Sequence, residues 1–332
     1  MSSSVPCSSN FTRGYTVALV SAVILSTTAI FIRHLTQTYH MPPLILAFWR
    51  DVFVVLTLLP VLGLLRPLLL RVTRQHLFYL VVYGFMLAIF NTLWTLSVAL
   101  TGAAISTVLV YSSAGFTALL GWCLFKERLN WAKLLAIALS LGGCVLVSGA
   151  LDSAVWQGSL SGTLLGIFTG VLSGLWYAIY SLMGRSASQR GLNPWTTVTY
   201  TFGFAAIFLL FFNVLSGGLL SGLSDLFWLG DALPGWGALF LLAAGPTVVG
   251  FGLYNVSLGL LPSSVANLIL TLEPAFTAVI AYFLLGERLN GMQLGGSLMI
   301  LMGVVLLRVY EGRLESRRRA KGQGRFSFLH SN

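Results

Sequence analysis

The chain reads as an all-α integral membrane protein, with ten transmembrane helices arranged as two inverted five-helix repeats. Three observations predict this. Hydrophobic residues are 57% of the 332 and charged residues 8%, against about a quarter charged in a soluble domain. So little charge cannot cover a water-facing surface of this size. Apolar runs near the length needed to cross a hydrocarbon core of roughly 30 Å recur along the whole chain. The run Glu127-Arg128-Leu129-Asn130 returns unchanged as Glu287-Arg288-Leu289-Asn290, 160 residues later. At that offset Ser97 meets Ser257, Phe116-Thr117-Ala118 meets Phe276-Thr277-Ala278, and Gly143 meets Gly303. Matches in register on both sides argue for a duplicated unit.

Taken in order, a polar tail (1–13) precedes spans at 14–36, 43–64, 77–99, 103–124 and 131–150, which make the first repeat, 14–150. A linker (151–161) leads to spans at 162–183, 194–216, 236–260, 263–285 and 291–309, the second repeat, 162–309, and a basic tail follows (310–332). The links near Gly102 and Pro262 are very short, so successive spans zigzag through the bilayer. Arg13, Arg66, Arg71, Arg74, Lys126, Arg128, Lys133, Arg185, Arg190 and the tail from Arg308 to Arg325 then fall on one side, while Arg33 and Arg288 fall on the other with Asp152, Asp225 and Asp231. The positive-inside rule places the first group, and with it both termini, in the cytoplasm. Five spans per half is an odd number, so the second copy enters the membrane in the opposite sense. Two such halves are the signature of many secondary transporters, with the binding site near the midplane between them.

The same distribution accounts for the net charge of +10 without a nucleic-acid partner. Cys7 lies in a tail while Cys123 and Cys144 lie in apolar spans, so three free thiols are expected rather than a disulfide framework. The polar first 13 residues and a full-length first span speak against a cleaved signal peptide. No phosphate-binding Gly-x-x-x-x-Gly-Lys loop, His-Glu-x-x-His run or Gly-x-Ser-x-Gly elbow occurs, and the four histidines are scattered. Enzymatic chemistry, a metal or a cofactor is therefore not expected.

The end of each half resembles the motif of the drug/metabolite transporter superfamily, in its EamA-domain branch. The pattern is an aromatic-rich helix, a Leu-x-Glu-Arg-Leu corner and a glycine-containing helix. It is carried by Phe116 through Leu129 with Gly142-Gly143, and by Leu272-Glu273-Pro274 through Leu289 with Gly303. Arg50, in the second span after Pro42-Pro43, is similar to the family pattern too. Ser113-Ala114 departs from it, standing where the first repeat of the family commonly has a proline. The resemblance implies ten helices, a central cavity and transport of small metabolites, often efflux.

Arg50, Asp51 and Glu273 are the charges that fall well inside predicted spans. A charge at the bilayer centre costs about 2.5–3.5 kcal/mol even on the lenient insertion scale, so each needs a partner or a watery cavity. Arg50 and Asp51 point about 100° apart on a helix, so different neighbours are expected for them, and an Arg50–Glu273 pair would link the repeats. That pair could be a fixed interhelical contact, or Glu273 and Arg50 could meet substrate or protons.

A substrate chamber is expected from polar and aromatic positions that recur in both halves. Thr107 and Tyr111 match Asn267 and Thr271, while Trp94 and Thr95 match Tyr254 and Asn255, with Asn91 one turn before Trp94. Trp176, Tyr177 and Tyr180 add aromatic surface suited to an amphipathic ligand or organic cation. Interhelical hydrogen bonding and core packing would explain the same residues.

Trp131, Trp156, Trp195, Trp228 and Trp236 fall near span ends, as interfacial anchors do. Gly162, Gly166, Gly170 and Gly174 make a ridge on span six for close helix packing, within a monomer or in a homodimer, and Gly291 and Gly295 repeat the spacing. Pro246 and Pro274 are expected to interrupt and kink spans eight and nine, making the second half the more bent. The Glu127 and Glu287 corners are expected to cap the next helix or pair with the adjacent arginine.

The sequence thus predicts a secondary transporter, more an exporter than an uptake permease, of small metabolites such as amino acids or related amphipathic compounds. A membrane sensor or assembly subunit of the same fold is the reading from another class.

Overall fold

The computed structural model describes residues 8–113, 115–116, 119–120, 131–147, 161–221, 225–260, 269–270, 272–306, 309–310 and 313. They form α1 (Ser8–Thr38), α2 (Pro43–Leu65), α3 (Arg74–Thr101), α4 (Ala103–Tyr111), α5 (Trp131–Val147), α6 (Ser161–Gln189) and α7 (Pro194–Ser221). After them come α8 (Leu233–Leu242), a π-helical segment (Ala243–Gly250), α9 (Phe251–Leu260) and α10 (Glu273–Leu285), then α11 (Gly291–Leu306). Six helical stretches are long and apolar enough to cross a membrane: Arg13–Thr38, Pro43–Leu65, Arg74–Thr101, Gly162–Gly184, Pro194–Leu215 and Leu233–Tyr254. The helices Glu273–Leu285 and Gly291–Leu306 are apolar and shorter.

Local sequence explains where these helices start and stop. Proline at the start of α2 lacks only an N–H that the first turn cannot use. α3 ends and α4 begins around Gly102, whose φ of +95° is open to glycine and strained for other residues. α10 ends on Gly286 in the left-handed region, and the Glu287 N–H closes the turn on the Ala281 carbonyl.

Pro246 lies inside the π-helical segment, where the Thr247 hydroxyl donates to the Leu242 carbonyl at 3.0 Å, five residues back. The irregularity expected of span eight is thus a wide turn inside a continuous helix. Pro274 sits in the first turn of α10, where its missing N–H breaks no helical bond. Residues 269–270 are helical and Leu272 is a turn, so span nine is interrupted just before this proline, as expected. Pro60 lies inside α2, a position the sequence reading passed over.

The two halves grip each other reciprocally. α6, which opens the second half, packs on α3 and α4 of the first, and α1, which opens the first, packs on the π segment, α9 and α10 of the second. α2 and α7 pack against each other across the halves as well. Lipid tails are as apolar as leucine, so helix association here rests on close fit rather than on escape from water. Small residues supply that fit. A Cβ on Gly170 would stand 2.7 Å from Leu109 and Ser97, and one on Gly174 2.6 Å from Ser112 Oγ. The α6 ridge therefore packs on α3 and α4 inside one chain. A Cβ on Gly162, Gly291 or Gly295 would meet nothing within 4 Å among the described residues. The last helices of the halves, α5 and α11, meet where Gly143 faces Ile300 and the Gly296 carbonyl.

Candidate functional site

Arg50 lies seven residues beyond the start of α2 and Trp94 seven before the end of α3, each about 10 Å along its helix from the same end of the bundle. That depth puts polar groups inside the hydrocarbon zone, where they must find partners. Arg50 and Asp51 are 3% and 0% exposed. Arg50 Nε donates to Asp51 Oδ1 at 3.2 Å, and Asn91 Nδ2 donates to Asp51 Oδ2 at 2.7 Å. The expectation that Arg50 and Asp51 need different neighbours is corrected: the flexible arginine stem folds back across the 100° between them. The expected Arg50–Glu273 pair is not made either, and among the described residues the ion pair of Arg50 is with Asp51.

The guanidinium of Arg50 stands 5.9 Å from the centroid of the Trp94 ring. Only its Nε enters a hydrogen bond among the described residues. Trp94 Nε1 and Thr95 Oγ1, both buried, have no hydrogen-bond partner among the described residues. Buried donors of this kind each cost free energy unless something fills them. The guanidinium and the indole N–H only donate, so the chemistry they lack is an acceptor, while the Thr95 hydroxyl can donate or accept.

An aromatic wall continues from Trp94. Phe90 stacks on Trp94 at 6.1 Å between centroids and meets Tyr177 at 5.2 Å. Tyr180 lies 6.1 Å from Tyr177 and 4.7 Å from Tyr83. The structure so brings together Arg50, Asp51, Asn91, Trp94, Tyr177 and Tyr180. Trp176, on the same helix, is half-buried and enters none of these ring contacts. Sequence reading missed Phe90 and Tyr83, although Phe90 stands one helical turn from Trp94.

Glu273 forms a second polar point. The Tyr111 hydroxyl lies 3.0 Å from Glu273 Oε2 and 2.8 Å from the Leu270 carbonyl oxygen, and can donate to either. The contact joins α4 of the first half to α10 of the second. Thr107, expected to line the same chamber, is 3% exposed and turns its hydroxyl back to the Ala103 carbonyl at 2.8 Å. Tyr254 is half-buried on α9. Asn255 lies on α9 with its side chain outside the described residues, and Asn267 and Thr271 lie outside them altogether.

Glu287 does something the sequence reading did not foresee. Its Oε1 accepts from the Ala103 N–H at 2.9 Å and its Oε2 from the Ala104 N–H at 3.1 Å. It also pairs with Arg33 Nε at 3.4 Å, whose Nη1 donates to the Val98 carbonyl at 3.3 Å and to that of Ala99. It therefore caps α4, in the other half of the chain, and not the helix that follows it. The neighbouring Arg288 lies 5.8 Å from the Tyr282 ring. The sign in the sequence was the placement of Arg33 and Glu287 at the same face. The Glu127 corner lies outside the described residues.

Of the tryptophans read as anchors, Trp131 is 76% exposed, whereas Trp236 packs edge-on against Trp49 at 4.9 Å and Trp228 Nε1 donates to the Tyr39 carbonyl at 2.9 Å. Trp195 is half-buried, with its ring against Gly252, and Trp156 lies outside the described residues. A groove of about 760 Å³ between α5 and α11, lined by Leu135, Leu139, Leu298 and Met302, is apolar and holds no member of the predicted site. Three or more potential metal-ligating residues gather nowhere among the described residues.

Comparison with known proteins agrees with this architecture. An uncharacterized transporter of Archaeoglobus fulgidus is 27% identical over 88% of this chain and 95% of its own length. A Synechocystis uncharacterized transporter is 28% identical over 68% of this chain, and the match spans 64% of that relative's length. A probable amino-acid metabolite efflux pump of Salmonella typhimurium is 26% identical over 81% of this chain and 86% of its own. One solved crystal structure shares the fold, with a TM-score of 0.56 at 16% identity over 90% of this chain and 98% of the other. The model of the EamA-like transporter family matches residues 12–149 and again 164–309. With both halves matched, the chain belongs to the EamA-like transporter family.

Proposed function

We propose that the chain is a secondary transporter that exports small organic metabolites, amino acids or related amphipathic compounds, by alternating access between two inverted five-helix repeats. On this reading ten crossings leave both termini on the same side of a cell membrane, and the charge distribution favours the cytoplasm. The observation that carries the substrate class is the buried guanidinium of Arg50 beside Trp94, whose indole N–H has no partner among the described residues, against an aromatic wall. A carboxylate suits a guanidinium whose outer nitrogens make no hydrogen bond among the described residues, since the fork binds two oxygens at once. Phe90, Trp94 and Tyr177 suit an apolar or ammonium-bearing remainder. The reciprocal packing of α1 and α6 on the opposite half supports inversion. The Salmonella relative, described as a probable amino-acid metabolite efflux pump, supports both the substrate class and the direction. The driving force is the solute's own gradient, exchange or protons.

The test is efflux from preloaded vesicles with a panel of amino acids, their decarboxylated amines and quaternary amines. Amino acids should be released and the amines should not, and Arg50→Gln should abolish release. A panel that yields neither flux nor ligand-induced stabilisation would favour a non-transporting sensor or assembly subunit, and net accumulation against a gradient would favour uptake.

A further inference from the structure

We propose that Glu287 and Arg33 form a releasable latch over the outer end of the transport path, and that opening to the outside requires the Glu287 carboxylate to leave the α4 N-terminus. The latch joins the two halves: Glu287 belongs to the second, and Arg33, Ala103 and Ala104 to the first. It sits at the bundle end nearest the donor cluster, where α1 and α3 end and α2 and α4 begin, the end that the charge distribution assigns to the outside.

Its fit is specific. A Cβ on Gly102 would stand 2.7 Å from Glu287 Oε1, so the seat is shaped to the carboxylate. The seat also uses what a helix N-terminus offers, two free N–H groups and the positive end of the dipole. Its release is equally accessible. Glu287 stands in a non-helical stretch after the left-handed Gly286, so rotation there moves it without unwinding a helix. The Arg33 and Glu287 side chains are 19% and 17% exposed, and water can solvate both charges and the freed α4 amides when they part. Asp51, at 0% exposed, has no such option, which separates a latch from a fixed pair.

The test needs no knowledge of the substrate. In a background with Cys7→Ser, Cys123→Ser and Cys144→Ser, a Thr107→Cys reporter sits one turn below Ala103 at a position 3% exposed. A membrane-impermeant maleimide added outside intact cells reports opening of that end. Glu287→Gln should speed this labelling on the order of tenfold, the size of a typical coupling between states. Arg33→Gln should act in the same direction and Arg33→Lys should stay near the parent rate, while labelling from the cytoplasmic side in inverted vesicles should not rise. An unchanged outside rate in a variant that elutes and melts as a folded protein would overturn the latch. An equal rise from both sides would overturn it too, because it marks a loosened bundle rather than a gate. If Glu287→Gln fails to accumulate, Arg33→Gln, which removes the ion pair and leaves the cap, decides by the same criteria.

Discussion

Asp51→Ala tests whether the Arg50–Asp51 contact is a compensated charge or a dispensable one. Asp51 is 0% exposed and its two oxygens hold Arg50 Nε at 3.2 Å and Asn91 Nδ2 at 2.7 Å. Removing the carboxylate leaves a guanidinium 3% exposed, with the Trp94 ring as its remaining electrostatic neighbour among the described residues. Stripping one partner from a buried pair costs about 3–5 kcal/mol, and the freed Asn91 amide adds about 1–3 kcal/mol unless it finds a new acceptor. The double variant Arg50→Met with Asp51→Leu removes both charges at similar volume. Such replacements are often neutral or stabilising by about 1–4 kcal/mol, so it should be at least as stable as Asp51→Ala and near the parent. Equilibrium unfolding in mixed micelles of denaturing and mild detergent, run as a double-mutant cycle, gives the coupling directly. A loss under about 1 kcal/mol in Asp51→Ala, or a double variant less stable than the single, would refute the reasoning. The same double variant separates stability from transport: it should fold and fail to release substrate, and retained release would make the pair purely structural.

Further predictions rest on single contacts. Gly170→Ala places a methyl 2.7 Å from Leu109 and Ser97 and should cost about 1–3 kcal/mol by overpacking. Gly162→Ala, whose methyl meets none of the described residues within 4 Å, should be neutral or slightly stabilising, and thermal melts of the two variants give the contrast. Tyr111→Phe removes the hydroxyl that meets Glu273 and the Leu270 carbonyl. It should lower stability by about 1–3 kcal/mol and slow release, read by the same unfolding and efflux assays. Gly102→Ala forces a side chain into φ +95° and against the Glu287 carboxylate. It should lower the melting temperature more than Gly162→Ala does, and a melt equal to the parent would show that the α3–α4 turn relaxes freely.

What the sequence by itself determined is what one-dimensional chemistry can carry. The scarcity of charge and the recurrent apolar runs place the helices, because a bilayer tolerates little else. The 160-residue repeat announces two homologous halves, and the family model matches both. The rarity of intramembrane charge singled out Arg50, Asp51 and Glu273, since each is costly wherever it is not satisfied. Pairing was another matter. A helix fixes where a side chain leaves the backbone, not where a long side chain ends, so Arg50 reaching its own neighbour was invisible to helical geometry. Partners also come from helices far apart in sequence: Glu287 with Arg33 and α4, Tyr111 with Glu273, Phe90 with Tyr177. Those contacts are decided by which helix packs against which, and only the tertiary structure holds that information.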